Sequence, residues 1–98
     1  MNIIWRAPAE VDLDEAFDYL LERNPAAALR TYEAIRKGVE LLTDHPNLGR
    51  PGRVEDTREL VIAGTPYIVP YTVDRRIDAV IILRVLHGAR RWPVELGE

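Results

Sequence analysis

The chain has 98 residues, 47% of them hydrophobic and 30% charged, with a formal net charge of −3 at pH 7. These values are typical of a globular protein, so we expect one domain over residues 1–98 and exclude a disordered chain. The sequence contains no cysteine, which excludes disulfides, thiolate catalysis and cysteine-based zinc sites. The two histidines, His45 and His87, lack the spacing of metal ligands, and we expect neither a metal nor another cofactor.

No targeting or membrane-spanning signal is visible in the sequence. The residues Met1 to Arg6 include neither a basic region nor a long apolar run, both of which a signal peptide requires. The longest apolar run, Ala79 to Leu83, is far too short to span a bilayer. We therefore expect a cytoplasmic protein that makes no contact with a membrane.

The charge is divided unevenly between the two halves of the chain. Residues 1–48 contain five basic and nine acidic residues, a net charge of −4, whereas residues 49–98 contain eight basic and seven acidic residues, a net charge of +1. Every basic residue of the second half is an arginine, whose planar guanidinium suits carboxylates and phosphates. This polarity indicates an anion-binding surface in the second half, with ordinary surface ion pairs as the alternative.

The first half predicts a strand followed by two helices. Asn2 to Arg6 is a short apolar segment that we interpret as a strand. From Pro8 to about Arg23, apolar residues recur at three- and four-residue steps, which predicts an amphipathic helix with a buried stripe of Leu13, Ala16, Phe17 and Leu20. Asn24-Pro25 is a helix start signal, and the same spacing predicts a second helix from Pro25 to about Thr43. Because the connection is so short, we expect an antiparallel helical hairpin.

The second half predicts a loop and three strands. Pro46 to Asp56 is rich in proline and glycine, which predicts a loop. Alternation predicts strands over Thr57 to Ala63 and Pro66 to Val73, and Ile77 to Leu86 is an apolar run typical of a buried strand. We thus expect an α+β fold of order β-α-α-β-β-β, with the first strand added to a three-stranded antiparallel meander. Pro70 lies in the middle strand, where it cannot donate to a ladder, so we expect a bulge or a partly unpaired strand there.

Three parts of the sequence resemble the RelE/ParE superfamily of bacterial toxins. They are Asn47 to Arg53 with Thr57 to Leu60 (NLGRPGR and TREL), Pro66 to Tyr71 (PYIVPY), and Ile82 to Arg90 (ILRVLHGAR). With the order of the elements, the resemblance covers nearly the whole chain. It implies the toxin of a type II toxin–antitoxin module, often called a plasmid-stabilisation protein. It also implies a cognate antitoxin that neutralises the toxin and supplies any contact with DNA.

The resemblance implies one of two activities. RelE-like members are metal-independent, ribosome-dependent endoribonucleases that cut messenger RNA, whereas ParE-like members poison DNA gyrase and lack the full ribonuclease set. The net negative charge and the single lysine argue against docking into ribosomal RNA. The lysine cluster typical of RelE-like sites is also missing after the loop. We therefore favour a ParE-like toxin without an active site, and we keep the ribonuclease and a non-toxic interaction module as alternatives.

Arg84 and His87 are the candidate catalytic residues if the protein is a ribonuclease. Arg84 interrupts an apolar strand and could clamp a phosphate, and the alternative is an internal ion pair with an acid such as Glu59. His87 follows the strand end, where the resemblance implies an acid, and its reference pKa of about 6.5 suits proton transfer. The alternative, which we favour, is a histidine that only caps the strand. Glu59 could act as a general base, although alternation places it on the face opposite Arg58.

A second set of residues is the candidate partner-binding surface. It comprises the basic residues of the loop and its strand, and three residues after the last strand: Arg50, Arg53, Arg58, Arg90, Arg91 and Trp92. Guanidinium groups bind carboxylates and phosphates, and an exposed tryptophan can anchor a partner. The alternatives are solvated loop charges and a Trp92 that packs back over an open edge of the sheet. We expect these residues to form one preorganised cationic surface, which the antitoxin covers.

Overall fold

The computed structural model describes residues 1–93, and its elements follow the predicted order. The strands and helices are β1 Asn2–Trp5, α1 Ala7–Arg23, α2 Pro25–Leu41, β2 Arg50–Pro51, β3 Arg58–Val61, β4 Tyr67–Asp74, β5 Ala79–Ile82 and β6 Leu86–His87. The predicted α+β fold, a strand and a helical hairpin followed by a sheet, is confirmed. Within residues 1–93, neither helix is long and apolar enough to cross a membrane.

The strands form one sheet in the order β1-β5-β4-β3-β2, and β6 also pairs with β4. β1 runs parallel to β5, and every other neighbouring pair is antiparallel. The meander of β3, β4 and β5 and the addition of the first strand are therefore as predicted. The expectation that residues 46–56 lack regular structure was wrong at one place, because β2 lies there and pairs with the start of β3. A proline is tolerated in β2 because this strand is at the edge of the sheet.

The last predicted strand, residues 77–86, was wrong as a continuous element, because a bulge divides it into β5 and β6. Tyr71 is paired with Ile82 and Ile68 with Leu86, so three residues of one chain segment lie opposite two of the other. One of those two is Pro70, whose carbonyl accepts a hydrogen bond from the Leu83 N–H at 3.0 Å. The N–H that proline lacks would point to the same side, towards the bulge. The bulge expected at Pro70 is thus confirmed.

Both helices lie on one face of the sheet, and the core fills the space between the helices and the sheet. Pro8 lies in the first turn of α1, and the Asn24 side chain caps α2 by accepting from the Ala27 N–H at 3.2 Å. The buried core includes three helical residues, the C-cap residue of α2 and five residues from the sheet: Leu13, Ile35, Val39, Leu42, Leu60, Val69, Tyr71, Val80 and Ile82. Trp5 and Tyr32 are half-buried beside it. The stripe predicted for α1 is buried at Leu13 and Ala16 and half-buried in its other positions.

Tyr71 attaches the segment after α2 to the sheet. Its ring is fully buried, and its hydroxyl accepts from the Gly49 N–H at 2.8 Å and donates to the Pro46 carbonyl at 2.7 Å. A Cβ on Gly49 would lie 2.7 Å from the Tyr71 ring, so only glycine fits there. This contact fixes the backbone at Gly49, immediately before Arg50, the first of the basic residues of this segment.

Candidate partner-binding surface

Glu59 is the buried charged group of the sheet face that lacks helices. It retains 3% of its exposure and lies on the face opposite Arg58, as alternation predicted. Its Oε1 accepts from Arg50 Nη2 at 3.1 Å, and its Oε2 accepts from the backbone N–H of Arg53 at 2.8 Å and from Arg53 Nε at 3.3 Å. Burial raises the pKa of Glu59, but the hydrogen bonds from Arg53 and Arg50 outweigh it and leave the pKa below its usual value. The carboxylate is therefore ionised, and both of its oxygens are used.

Trp92 connects the segment after β6 to Arg53, which lies in the loop between β2 and β3. The Arg53 guanidinium carbon lies 3.4 Å from the centroid of the Trp92 ring, the stacking geometry of a cation–π contact. The indole Nε1 donates to the His87 carbonyl at 3.3 Å. The side chain is half-buried, so it packs back onto the protein and still presents part of its ring to solvent. Trp92 thus packs back onto the protein over Arg53, and its role as an anchor for a partner stays a prediction.

Arg84 forms an internal ion pair, but with Asp12 of α1 and not with Glu59. Arg84 Nε and Nη2 donate to the two Asp12 oxygens at 2.6 and 2.9 Å, and the Val85 N–H donates to Oδ2 at 3.0 Å. The hydrogen bond to Asp12 raises the pKa of Arg84 further, so its charge is permanent. The bulge explains the partner, because it places the Arg84 side chain and the Val85 N–H beside Asp12 of α1. Nothing in the sequence analysis assigned a role to Asp12.

A signal for Asp12 exists in the helical pattern. Asp12, Ala16 and Tyr19 are spaced four and three residues apart, so they occupy one stripe of α1. An acid aligned with a buried alanine is a candidate for an internal ion pair. The cation that it would meet comes from a bulge more than seventy residues away, which local periodicity does not reveal.

His87 lies in a cleft of about 300 Å³ between α1, the start of β4, and β6 with the residues that follow it. Its imidazole meets the edge of the Tyr67 ring at a centroid distance of 5.6 Å. Its Nδ1 accepts from the Ala89 N–H at 3.2 Å, which is the capping contact that the alternative interpretation of His87 predicted. Burial raises the pKa of Tyr67, with the charge of Arg90 acting in the opposite direction. The cleft thus places an imidazole and a phenol beside an arginine.

The six predicted partner-binding residues divide into two groups. Arg90, Arg91 and Trp92 line the cleft that contains His87, and Arg53 meets that group through Trp92. Arg50 joins through the carboxylate that it shares with Arg53. We call these five residues, Arg50, Arg53, Arg90, Arg91 and Trp92, the arginine–tryptophan surface.

Arg58 lies apart from that surface. Its Nη1 donates to the Gly49 carbonyl at 2.7 Å, and its side chain lines a second cleft of about 280 Å³ that also contains Arg75 and Thr72. The expectation of one surface uniting all six residues was wrong for Arg58, because alternation along β3 turns it to the opposite face from Glu59.

Two solved structures that share this fold come from toxin–antitoxin systems. A chain from the chromosomal ParDE toxin–antitoxin system of P. aeruginosa matches with a TM-score of 0.78 and 28% identity, over 89% of this chain and 95% of that chain. A chain from the toxin–antitoxin complex RelBE2 of Mycobacterium tuberculosis matches with a TM-score of 0.64 and 27% identity, over 88% and 95% of the two chains. The fold is therefore that of the RelE/ParE superfamily.

Sequence relatives narrow the class to a family. The family described as "ParE toxin of type II toxin-antitoxin system, parDE" matches residues 3–92. The protein named "Putative toxin Y4kP" of Sinorhizobium fredii is 42% identical over 92 residues, which cover 94% of this chain and 93% of that protein. Toxin RelE3 of Caulobacter vibrioides is 35% identical over 85 residues, 85% and 89% of the two chains. The chain belongs to the ParE toxin family and is the toxin of a type II toxin–antitoxin system.

Proposed function

We propose that this toxin inhibits growth by binding and poisoning DNA gyrase, without an active site of its own, and that a cognate antitoxin neutralises it. One observation supports this proposal above the others. Two of the groups considered for ribonuclease chemistry, the Arg84 guanidinium and the Glu59 carboxylate, are both engaged in ion pairs within the protein.

Cleavage of RNA through its 2′-hydroxyl requires a base, an acid and cations for the developing negative charge. Glu59 is a weak base, because its pKa is lowered and both oxygens already accept hydrogen bonds from arginines. Arg84 gives two of its donors to Asp12, so a phosphate would have to compete with a bidentate carboxylate. A toxin that acts by binding alone needs neither group to be available.

The net charge of the protein supports a protein target. With a formal charge of −3, the toxin would be repelled on average by ribosomal RNA. Its cations are instead local, on the arginine–tryptophan surface, where they suit carboxylates of another protein. We propose this surface as the binding site of the antitoxin, with Arg58 and its cleft outside it. DNA binding then belongs to the complex and comes from the antitoxin.

A gyrase assay tests the target directly. Purified toxin is added to gyrase with relaxed and with supercoiled plasmid DNA, and both supercoiling and trapped cleavage complexes are measured. The expected result is inhibition of gyrase that the cognate antitoxin reverses. Gyrase that works normally in a large excess of active toxin would rule out this target.

The RelE-like ribonuclease is the second candidate, and the cleft around His87 favours it. An imidazole, the Tyr67 phenol and Arg90 lie together there, and such groups can transfer protons and bind a phosphate. Toeprinting of translating ribosomes would then reveal cuts in messenger RNA that disappear in His87→Ala. Intact messenger RNA during toxic expression would exclude this candidate.

A further inference from the structure

The arginine–tryptophan surface depends on a buried group that no partner would touch. Glu59 is almost completely inaccessible, whereas Arg50 and Arg53 expose about half of their side chains. Both guanidinium groups converge on this one carboxylate, that of Arg50 from β2 and that of Arg53 from the loop between β2 and β3. An acid beneath two exposed arginines neither binds an acidic partner nor increases the charge of the surface. Its contacts indicate that it holds the two arginines in position instead.

We propose that Glu59 is the positioning residue of the arginine–tryptophan surface. Through Arg53 and Trp92, it links the loop between β2 and β3 to the segment that follows β6. This inference rests on the proposed function of that surface as the antitoxin site. The link has three steps. Glu59 holds the Arg53 backbone and side chain through one oxygen, the Arg53 guanidinium lies on the Trp92 ring, and Trp92 donates to the His87 carbonyl.

The first step fixes both the backbone and the guanidinium group of Arg53. The Glu59 Oε2 atom accepts from the Arg53 N–H at 2.8 Å and from its Nε at 3.3 Å, so backbone and guanidinium are held by a single atom. Charge-assisted hydrogen bonds are stronger and more directional than neutral ones. Position 59 is itself anchored, because it lies in β3 with Arg50 opposite on one side and Pro70 opposite on the other.

The second step connects Arg53 to Trp92 and so fixes the segment that follows β6. The Arg53 guanidinium carbon lies over the indole, 3.4 Å from the ring centroid, and the Trp92 Nε1 hydrogen bond joins the ring to His87 at the end of β6. Without Arg53 in place, the Trp92 ring would lose the contact that covers one of its faces. Arg90 and Arg91, which immediately precede Trp92 in the chain, would lose their fixed position with it.

The substitution Glu59→Gln tests the proposal, and simple electrostatics predicts the opposite sign. It removes a negative charge, which by itself would tighten binding to an acidic partner. Its amide group would also point a donor at the arginines, which breaks the link and should weaken binding. The matched control is Asp74→Asn, which removes the same charge from an exposed ion pair with Arg76 in the β4–β5 turn. We expect the control to bind as the wild type does, or slightly more tightly.

Two measurements are made on the full chain. In a Trp5→Phe background, which leaves Trp92 as the only tryptophan, acrylamide quenching of fluorescence reports how exposed the indole is. Binding to the immobilised cognate antitoxin is measured by surface plasmon resonance. We expect Glu59→Gln to increase quenching and to weaken binding about tenfold, the equivalent of about 1.4 kcal/mol. Asp74→Asn should leave quenching unchanged.

A second variant keeps the test independent of folding. Arg53→Lys retains the charge and leaves Glu59 with Arg50, but its ammonium cannot stack as a plane or reproduce the fork. It should expose Trp92 as Glu59→Gln does. Unchanged quenching in both variants overturns the link. Exposed Trp92 with unchanged binding also overturns the proposal, because the link would then not build the partner site. The gyrase assay is read separately, so its outcome does not decide this one.

Discussion

Replacing Asp12 by alanine should destabilise the toxin far more than its place on a largely acidic helix suggests. Asp12 accepts three hydrogen bonds, two from Arg84 and one from the Val85 N–H, and it keeps only 13% of its side-chain exposure. The substitution leaves a guanidinium and a backbone N–H without their acceptor. It also releases the bulge that joins β5 to β6.

The magnitude follows from these contacts. Leaving a backbone donor unsatisfied costs about 1–3 kcal/mol, and removing one partner of a fully buried ion pair costs about 3–5 kcal/mol. Arg84 retains 24% of its exposure, so water can replace part of the lost carboxylate. We therefore expect a total below the sum of the two lower limits, about 3 kcal/mol, which for a domain of this size lowers Tm by about 12–24 °C.

The assay is thermal and urea unfolding followed by circular dichroism. Asp14→Ala is the matched control, because Asp14 is an exposed acid on the same helix, and its loss should change stability by less than about 0.5 kcal/mol. A double-mutant cycle with Arg84→Met should give a coupling energy of at least about 1 kcal/mol. If Asp12→Ala and Asp14→Ala unfold at the same temperature, the reasoning about the ion pair is refuted.

Three further outcomes can be measured on the same protein. Tyr71→Phe removes the hydroxyl that joins Gly49 and Pro46, and should cost about 1–3 kcal/mol in urea unfolding; an unaltered midpoint would contradict that role. Asn24→Ala removes the cap of α2 and should cost about 1 kcal/mol, whereas Asn24→Ser should restore most of it. The depressed pKa of Glu59 stabilises the fold above its ordinary value of 4.5, and this contribution is lost as the pH falls through the lower folded value. Stability measured against pH should therefore fall less steeply below pH 4.5 in Glu59→Gln than in the wild type, and identical slopes would contradict the assignment.

The bulge opposite Pro70 explains how a single proline affects the candidate site. Because Pro70 cannot donate a hydrogen bond, the ladder is interrupted beside it and the opposite segment gains one residue. That segment contains Arg84, which turns to Asp12, and the interruption ends at the short strand that contains His87. The cleft around His87 thus lies where the sheet is irregular, which is common for bulges near functional sites.

The sequence alone determined the order and type of the elements. Apolar periodicity of three to four residues, the Asn24-Pro25 start signal and alternation in β3 and β4 are local properties, and each predicted its element within a few residues. The same alternation placed Glu59 on the face opposite Arg58, and Pro70 in the middle strand predicted a bulge or a partly unpaired strand. The candidate residues were also visible as a concentration of arginines in the second half.

The pairing of those arginines depends on contacts between distant parts of the folded chain. Asp12 meets Arg84 across 72 positions of sequence, and Trp92 meets Arg53 after the chain has passed through three more strands of the meander and β6. Such contacts depend on the register of the sheet and on the direction in which a bulge turns a side chain. A guanidinium gives the same pattern in a sequence whether it meets an internal carboxylate or solvent, because its local neighbours are the same in both cases. Pairing is a property of the folded chain, and it separates Arg84 and Arg58 from the arginine–tryptophan surface.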